Sequence, residues 1–140
     1  MILVHRLSAI TKNSWRYTRN RLIHPGLTNA AYDICGIVYQ SGSTNQDNIS
    51  KALKMDKSSV AKVVNKCVID GLIDRKVNPD NRREYILTLT EEGLTLVQEL
   101  IELVEQWQNE SLSELSEEER VQFMEMIQRV EKKSNSILQV

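Results

Sequence analysis

Apolar residues recur at three- to four-residue spacing over 2–22, at Leu3, Leu7 and Ile10, with Ser14 and Tyr17 continuing the line. That period predicts a helix. The run His24-Pro25-Gly26 breaks it. Thr28 stands where a helix N-cap belongs. A second helix follows from Asn29 to about Gln40, with Ala31, Ile34, Cys35 and Val38 on one side and Gly42 as its terminator. Thr44 with Asp47 three residues on resembles a capping box and opens a short helix, about 45–53, whose apolar face is Ile49, Ala52 and Leu53. Lys54-Met55-Asp56 is a tight connection, and Asp56 can cap a fourth helix from Lys57 to Ile69. The apolar face of that helix is Val60, Val63, Val64, Cys67 and Val68, with Gly71 as C-cap.

After Gly71 the pattern changes. Residues 72–77 (LIDRKV) and 84–89 (EYILTL) read as strands, joined across the turn signal Asn78-Pro79-Asp80-Asn81 into a hairpin. Thr90 then caps a long helix with Glu91 and Glu92 in its first turn, where negative charge suits the helix dipole. It carries Leu94, Val97, Leu100, Ile101, Val104 and Trp107. Ser116 with Glu119 forms a fuller capping box for a last helix bearing Val121, Phe123, Met124, Ile127, Val130 and Ile137. The predicted order is α-α-α-α-β-β-α-α, a mainly α (α+β) fold.

Charge changes the picture. The formal net charge is −1, which points to no particular partner. Its distribution does: residues 1–83 hold fourteen Lys and Arg against six Asp, while residues 84–140 hold four against thirteen Glu. A basic part at +8 precedes an acidic part at −9, and such asymmetry favours a polyanion for the basic part. A pair of cysteines, Cys35 and Cys67, lies outside any CxxC spacing, and no signal-peptide pattern or long apolar run is present. The expectation is a reduced, cytoplasmic protein without a disulfide framework. Glycine-rich phosphate loops, metal-ligand spacings and nucleophile constellations are absent from the sequence, so neither an enzyme nor a cofactor or metal is expected.

A short capped helix, a tight connection and a second helix make a helix-turn-helix, and a hairpin directly after it makes the winged form. In that arrangement the first helix braces the second, whose N-terminal part enters the major groove of DNA. Small polar or basic side chains belong there, and the chain offers Lys57, Ser58 and Ser59, with Lys62, Asn65 and Lys66 on later turns. Serine can bond several base edges, and lysine suits guanine acceptors or phosphates. Thr44 and Asn45, at the start of the bracing helix, join these as DNA-facing candidates. A turn alone does not call for the adjacent Arg82 and Arg83. Beside a groove-reading helix they meet the neighbouring minor groove and its phosphates, where arginine is attracted. Arg83 has two readings, a DNA-backbone clamp and a partner for nearby carboxylates.

Residues 43–93, STNQDNISKALKMDKSSVAKVVNKCVIDGLIDRKVNPDNRREYILTLTEEG, resemble the DNA-binding core of the multiple-antibiotic-resistance regulator (MarR) family. The most specific piece is the wing, Asn78-Pro79-Asp80-Asn81-Arg82-Arg83, followed by Leu89-Thr90-Glu91-Glu92-Gly93. The family pattern usually has aspartate where Asn78 and Asn81 stand, and the second of these normally helps to hold the wing arginine. The resemblance implies one MarR-type domain over 1–140, with a winged helix-turn-helix at 28–89 and dimerisation helices at 1–22 and 90–140. It implies a homodimeric repressor on pseudo-palindromic double-stranded DNA, with Arg82 as the wing contact. It also implies a small aromatic effector between the two parts, with Trp15, Arg16, Tyr17, Tyr32 and Cys35 as candidate lining. Against that stands the reading of Trp15 and Tyr17 as interface or core residues. The alternative for the whole chain is a winged-helix module for protein–protein contact, which the lysines at 57, 62 and 66 disfavour.

Overall fold

The computed structural model describes residues 2–22, 24 and 26–138. They form α1 (Leu3–Arg19), α2 (Asn29–Ser41), α3 (Gln46–Leu53), α4 (Lys57–Ile69), β1 (Ile73–Asn78), β2 (Asn81–Leu89), α5 (Glu91–Ser111) and α6 (Glu117–Ile137). The predicted order holds throughout. The chain divides into two compact units, Met1–Val104 and Glu105–Val140. Of the expected break after the first helix, Pro25 lies outside the described residues.

Capping chemistry sets most boundaries. The Thr28 hydroxyl accepts from the Ala31 N–H, Asp56 accepts from Ser59, and Ser116 and Glu119 close a reciprocal box. Gly42 ends α2 at φ 71°, in the left-handed region glycine enters cheaply. Several boundary and cap expectations need correction. The first helix stops at Arg19, short of residue 22. The capping box of Thr44 and Asp47 does not form: Asn45 caps α3, accepting from Asn48 N–H, because Thr44 is held in a β-bridge with Leu87. Helix α4 is closed by Asp70, and Gly71 is the left-handed residue just beyond it. The second strand begins at Asn81, so Arg82 and Arg83 belong to β2 and only Pro79 and Asp80 form the turn.

The core of the first unit collects Ile34, Cys35 and Val38 from α2, Ile49 from α3, and Val60, Val64 and Cys67 from α4. Leu72, Ile73 and Leu87 from the hairpin base and Leu96 and Val97 from α5 join it, with Ala31 and Tyr32 of α2 and Leu22 completing it. Each fully buried aliphatic side chain of this kind contributes roughly 1.5–3 kcal/mol. Ala52, expected on the apolar face of α3, is exposed. The helix-turn-helix and hairpin thus share one interior, and the face of α4 turned away from it is fixed by that packing.

The terminal helices differ. Thr18 is the buried residue of α1, while Val4 remains 65% exposed and Ile10 47%. In the second unit, α6 buries none of its residues, and Met126 and Val130 are 54% and 47% exposed. The Arg120 guanidinium donates to the carbonyls of Leu112 and Leu115 and fastens the α5–α6 turn.

Candidate nucleic-acid interface

Burial of Val60, Val64 and Cys67 turns Lys57, Ser58, Lys62, Asn65 and Lys66 outward on α4, all exposed, with Ser59 half-buried. The sequence-predicted polar residues of α4 thus lie on its exposed side. Its members differ in what holds them. Lys57 is paired with Asp47 of α3 at 3.0 Å, and Lys66 with Asp70 at 2.9 Å. Exposed pairs of this kind contribute little and are readily exchanged for a phosphate. Lys62 has no carboxylate within ion-pair distance among the described residues.

Asp56 organises the start of the helix. Its carboxylate accepts from the Ser58 hydroxyl at 2.6 Å, the Ser59 hydroxyl at 2.7 Å and the Ser59 N–H at 2.9 Å. These bonds, that from Ser58 foremost, hold the carboxyl well below the usual carboxylate range. They also commit the hydroxyl protons of both serines to Asp56. What each serine then offers outward is an oxygen lone pair, an acceptor suited to the exocyclic amino groups of adenine and cytosine.

The preceding turn is tight because Lys54 adopts a left-handed conformation at φ 52°, while the Ser50 hydroxyl donates to the Met55 carbonyl. This places α4 one short turn from α3. On the far side, Arg75 of β1 donates to the Asn65 carboxamide oxygen at 2.6 Å and lies 4.8 Å above the Tyr85 ring. Arg75 thereby joins α4 to the hairpin. Sequence reading missed it, because strand alternation puts Arg75 on the face of buried Ile73, two positions back, and only the structure shows it exposed at the hairpin.

Strands β1 and β2 pair antiparallel one for one from Ile73↔Leu89 to Val77↔Tyr85. The next pair is Asn78↔Asn81. Three residues of β2, Arg82, Arg83 and Glu84, are therefore extra, a local swelling of the strand. Both arginines are exposed, whereas Glu84 is half-buried. Its carboxylate accepts from the Asn45 amide at 2.6 Å and from the Asn78 amide at 2.8 Å. Asn78 and Asn81 also brace the turn, their side-chain oxygens accepting from the backbone N–H groups of Asp80 and Arg83. Asn45 is thus engaged at both ends of its carboxamide, and Thr44 through its backbone. These two residues of the predicted DNA-facing set brace the wing base.

The residues named for an effector are only partly brought together. Trp15 and Tyr32 approach with ring centroids 6.2 Å apart, and Tyr32 is buried with its hydroxyl donating to the His24 carbonyl at 2.6 Å. Burial pushes the Tyr32 phenol up. Arg16 is exposed, and the Tyr17 ring instead carries the Arg21 guanidinium, 3.8 Å from its centroid. Cys35 is fully buried, and its thiol is pushed up by its hydrogen bond with Cys67 and by burial. Among the described residues no cluster of His, Cys, Asp and Glu could hold a metal ion, and no helix is long and apolar enough to cross a membrane.

Comparison with known proteins agrees with this geometry. The family model described as the MarR family matches residues 27–85. A curated relative, the HTH-type transcriptional regulator MhqR of Bacillus subtilis, is 30% identical over 112 residues, covering 79% of this chain and 77% of its own length. Another, the HTH-type transcriptional regulator BilQ of Clostridium symbiosum, is 32% identical over 88 residues, 63% of this chain and 61% of the relative. The chain thus spans between 61% and 77% of these two relatives. A solved crystal structure of MarR superposes with a TM-score of 0.84 at 25% identity, covering 98% of this chain and 93% of that one. With the family match, the relatives and the winged geometry in agreement, the chain belongs to the MarR family of transcriptional regulators.

Proposed function

We propose that this regulator is a homodimeric, cytoplasmic repressor that binds a pseudo-palindromic operator. The polar-basic face of α4 reads the major groove, and Arg82 and Arg83 reach the flanking minor groove and its phosphates. One observation carries the reading: an outward face of Lys57, Ser58, Lys62, Asn65 and Lys66 stands directly beside a hairpin that exposes two adjacent arginines. A crystal structure of an E. coli MarR mutant complexed with operator DNA shares the fold, at TM-score 0.76 and 18% identity.

Dimerisation is supported by the apolar residues that each unit leaves exposed, Val4 and Ile10 on α1 and Met126 and Val130 on α6. A two-fold pair would set two recognition helices about 34–36 Å apart, one turn of DNA. A small aromatic effector near Trp15 and Tyr32 is the regulatory part of the proposal. It draws support from similar folds solved with ligands, PcaV of Streptomyces coelicolor with its natural ligand among them.

The test is a titration of duplexes from the gene's own upstream region against random duplexes, at several salt concentrations. A preferred duplex is expected, with log K falling linearly in log salt at about −0.9 per neutralised phosphate. Equal binding to every duplex would sink the proposal and leave the protein–protein module as the better account.

A further inference from the structure

The wing arginines sit on a swelling of β2 that the ladder does not hold, since Arg82, Arg83 and Glu84 have no partners on β1. Loops of this kind sample many conformations unless something fixes them, and ordering a long arginine on binding costs affinity. The Asn81 side-chain oxygen accepts from the backbone N–H of Arg83, so the residue expected to grip the arginine side chain is engaged with backbone instead. Glu84 is the third residue of the swelling and the one turned inward. One carboxylate oxygen receives Asn45, the N-cap of α3, and the other receives Asn78, the last residue of β1. The same wing base is tied to the approach of α3 by paired backbone bonds between Thr44 and Leu87, at 3.0 and 2.8 Å.

We infer that Glu84 is the positioning residue of the wing: its carboxylate clasps the α3 N-cap and the end of β1, and so sets where Arg82 and Arg83 meet DNA. The inference rests on the proposed DNA-binding function and deepens it. Glu84 itself would repel phosphate, which is consistent with its inward aim. A carboxylate taking two amide donors holds the strand foot more firmly than a neutral acceptor could.

The clasp has a polarity that can be reversed. In Glu84→Gln, one acceptor oxygen is left for two amide donors, so the new NH2 faces either Asn45 or Asn78, donor against donor. In the double variant Asn45→Asp with Glu84→Gln, the new amide donates to the new carboxylate, while the other carboxylate oxygen still caps α3. Aspartate and asparagine serve almost equally as N-caps, so the helix is retained.

Two readouts on the full chain test this. The first is the rate of tryptic cleavage after Arg82 and Arg83, which needs no DNA. The second is affinity for the preferred duplex and its salt slope. Glu84→Gln is expected to speed cleavage several-fold, weaken binding about tenfold and flatten the slope by roughly 1–2, as one or two phosphate contacts are lost. The double variant is expected to restore all three, and in an Arg82→Ala/Arg83→Ala background Glu84→Gln should change affinity no further. Wild-type behaviour of Glu84→Gln, failure of the polarity swap to restore, or an equal loss in the arginine-free background would each overturn the assignment. A wild-type chain that binds no duplex would refute the functional reading and the clasp's role in DNA binding with it, while the cleavage rates would still report whether the clasp holds the strand.

Discussion

Gly93 is the last residue of the Leu-Thr-x-x-Gly run, and its replacement by alanine isolates a single contact. A Cβ at this position would lie inside the van der Waals envelope of the Leu72 carbonyl and 3.2 Å from the Leu89 side chain. The Leu72 carbonyl already accepts from Thr90 N–H at 3.1 Å, and the Thr90 hydroxyl bridges Gly71 and Gly93. Helix α5 is fastened to the base of the wing through this approach. Overpacking costs ~1–3 kcal/mol, and the strained Thr90–Leu72 bond ~1 kcal/mol more. Alanine recovers ~1 kcal/mol of helix propensity. The balance is a loss of roughly 1–3 kcal/mol, a fall in Tm of roughly 3–9 °C for a chain of this length. Gly36 of α2 is the control, since a Cβ there meets nothing within 4 Å and alanine should hold or raise Tm. The assay is thermal unfolding followed by circular dichroism at fixed protomer concentration, because oligomers melt in a concentration-dependent way. Equal shifts for Gly93→Ala and Gly36→Ala, or a rise for both, would refute the close approach as the reason for glycine.

Other outcomes follow from the same geometry. Lys54→Gly should raise stability by roughly 0.5–1 kcal/mol in urea unfolding, because a left-handed backbone is strained for lysine and glycine gives back part of the gain in the unfolded chain. Asp56 is depressed in the folded state, chiefly by Ser58, so its contribution is full above its ordinary value of 3.8 and is lost as pH falls toward the lower folded value. The unfolding midpoint of the wild type relative to Asp56→Asn should therefore be higher at pH 7 and converge only below about pH 4, and a pH-independent difference would contradict this. Val130→Glu on exposed α6 should shift sedimentation from dimer toward monomer, whereas a wild-type chain already monomeric at micromolar concentration would rule out the dimer proposal.

Much of this was legible in the chain because it was written in local chemistry. The caps at Thr28, Asp56 and Ser116 and the 3.6-residue apolar faces of α2 and α4 depend on neighbours within a turn, so spacing reveals them. The outward set at 57, 58, 62, 65 and 66 follows from the same period. Several failures share a physical origin: partners distant in sequence. Thr44 did not cap α3 because Leu87, far along the chain, takes its backbone into a bridge. The swelling at 82–84 depends on cross-strand register and turn geometry, which the period of either strand alone does not reveal. Arg75 with Asn65, and Glu84 with Asn45, are likewise long-range pairs. The apolar face of α6 was visible as a pattern, but no residue of α6 is fully buried, and Phe123 and Ile127 are half-buried.

In the proposed complex α4 reads bases while the wing supplies sequence-independent attraction. The ratio of affinities for the preferred duplex and a random one, measured for wild type, Ser58→Ala and Arg82→Ala, tests it most directly. Ser58→Ala is expected to lower the ratio, and Arg82→Ala to weaken both duplexes with the ratio nearly kept and the salt slope reduced by about 1. An equal collapse of the ratio in both variants would contradict that division of labour.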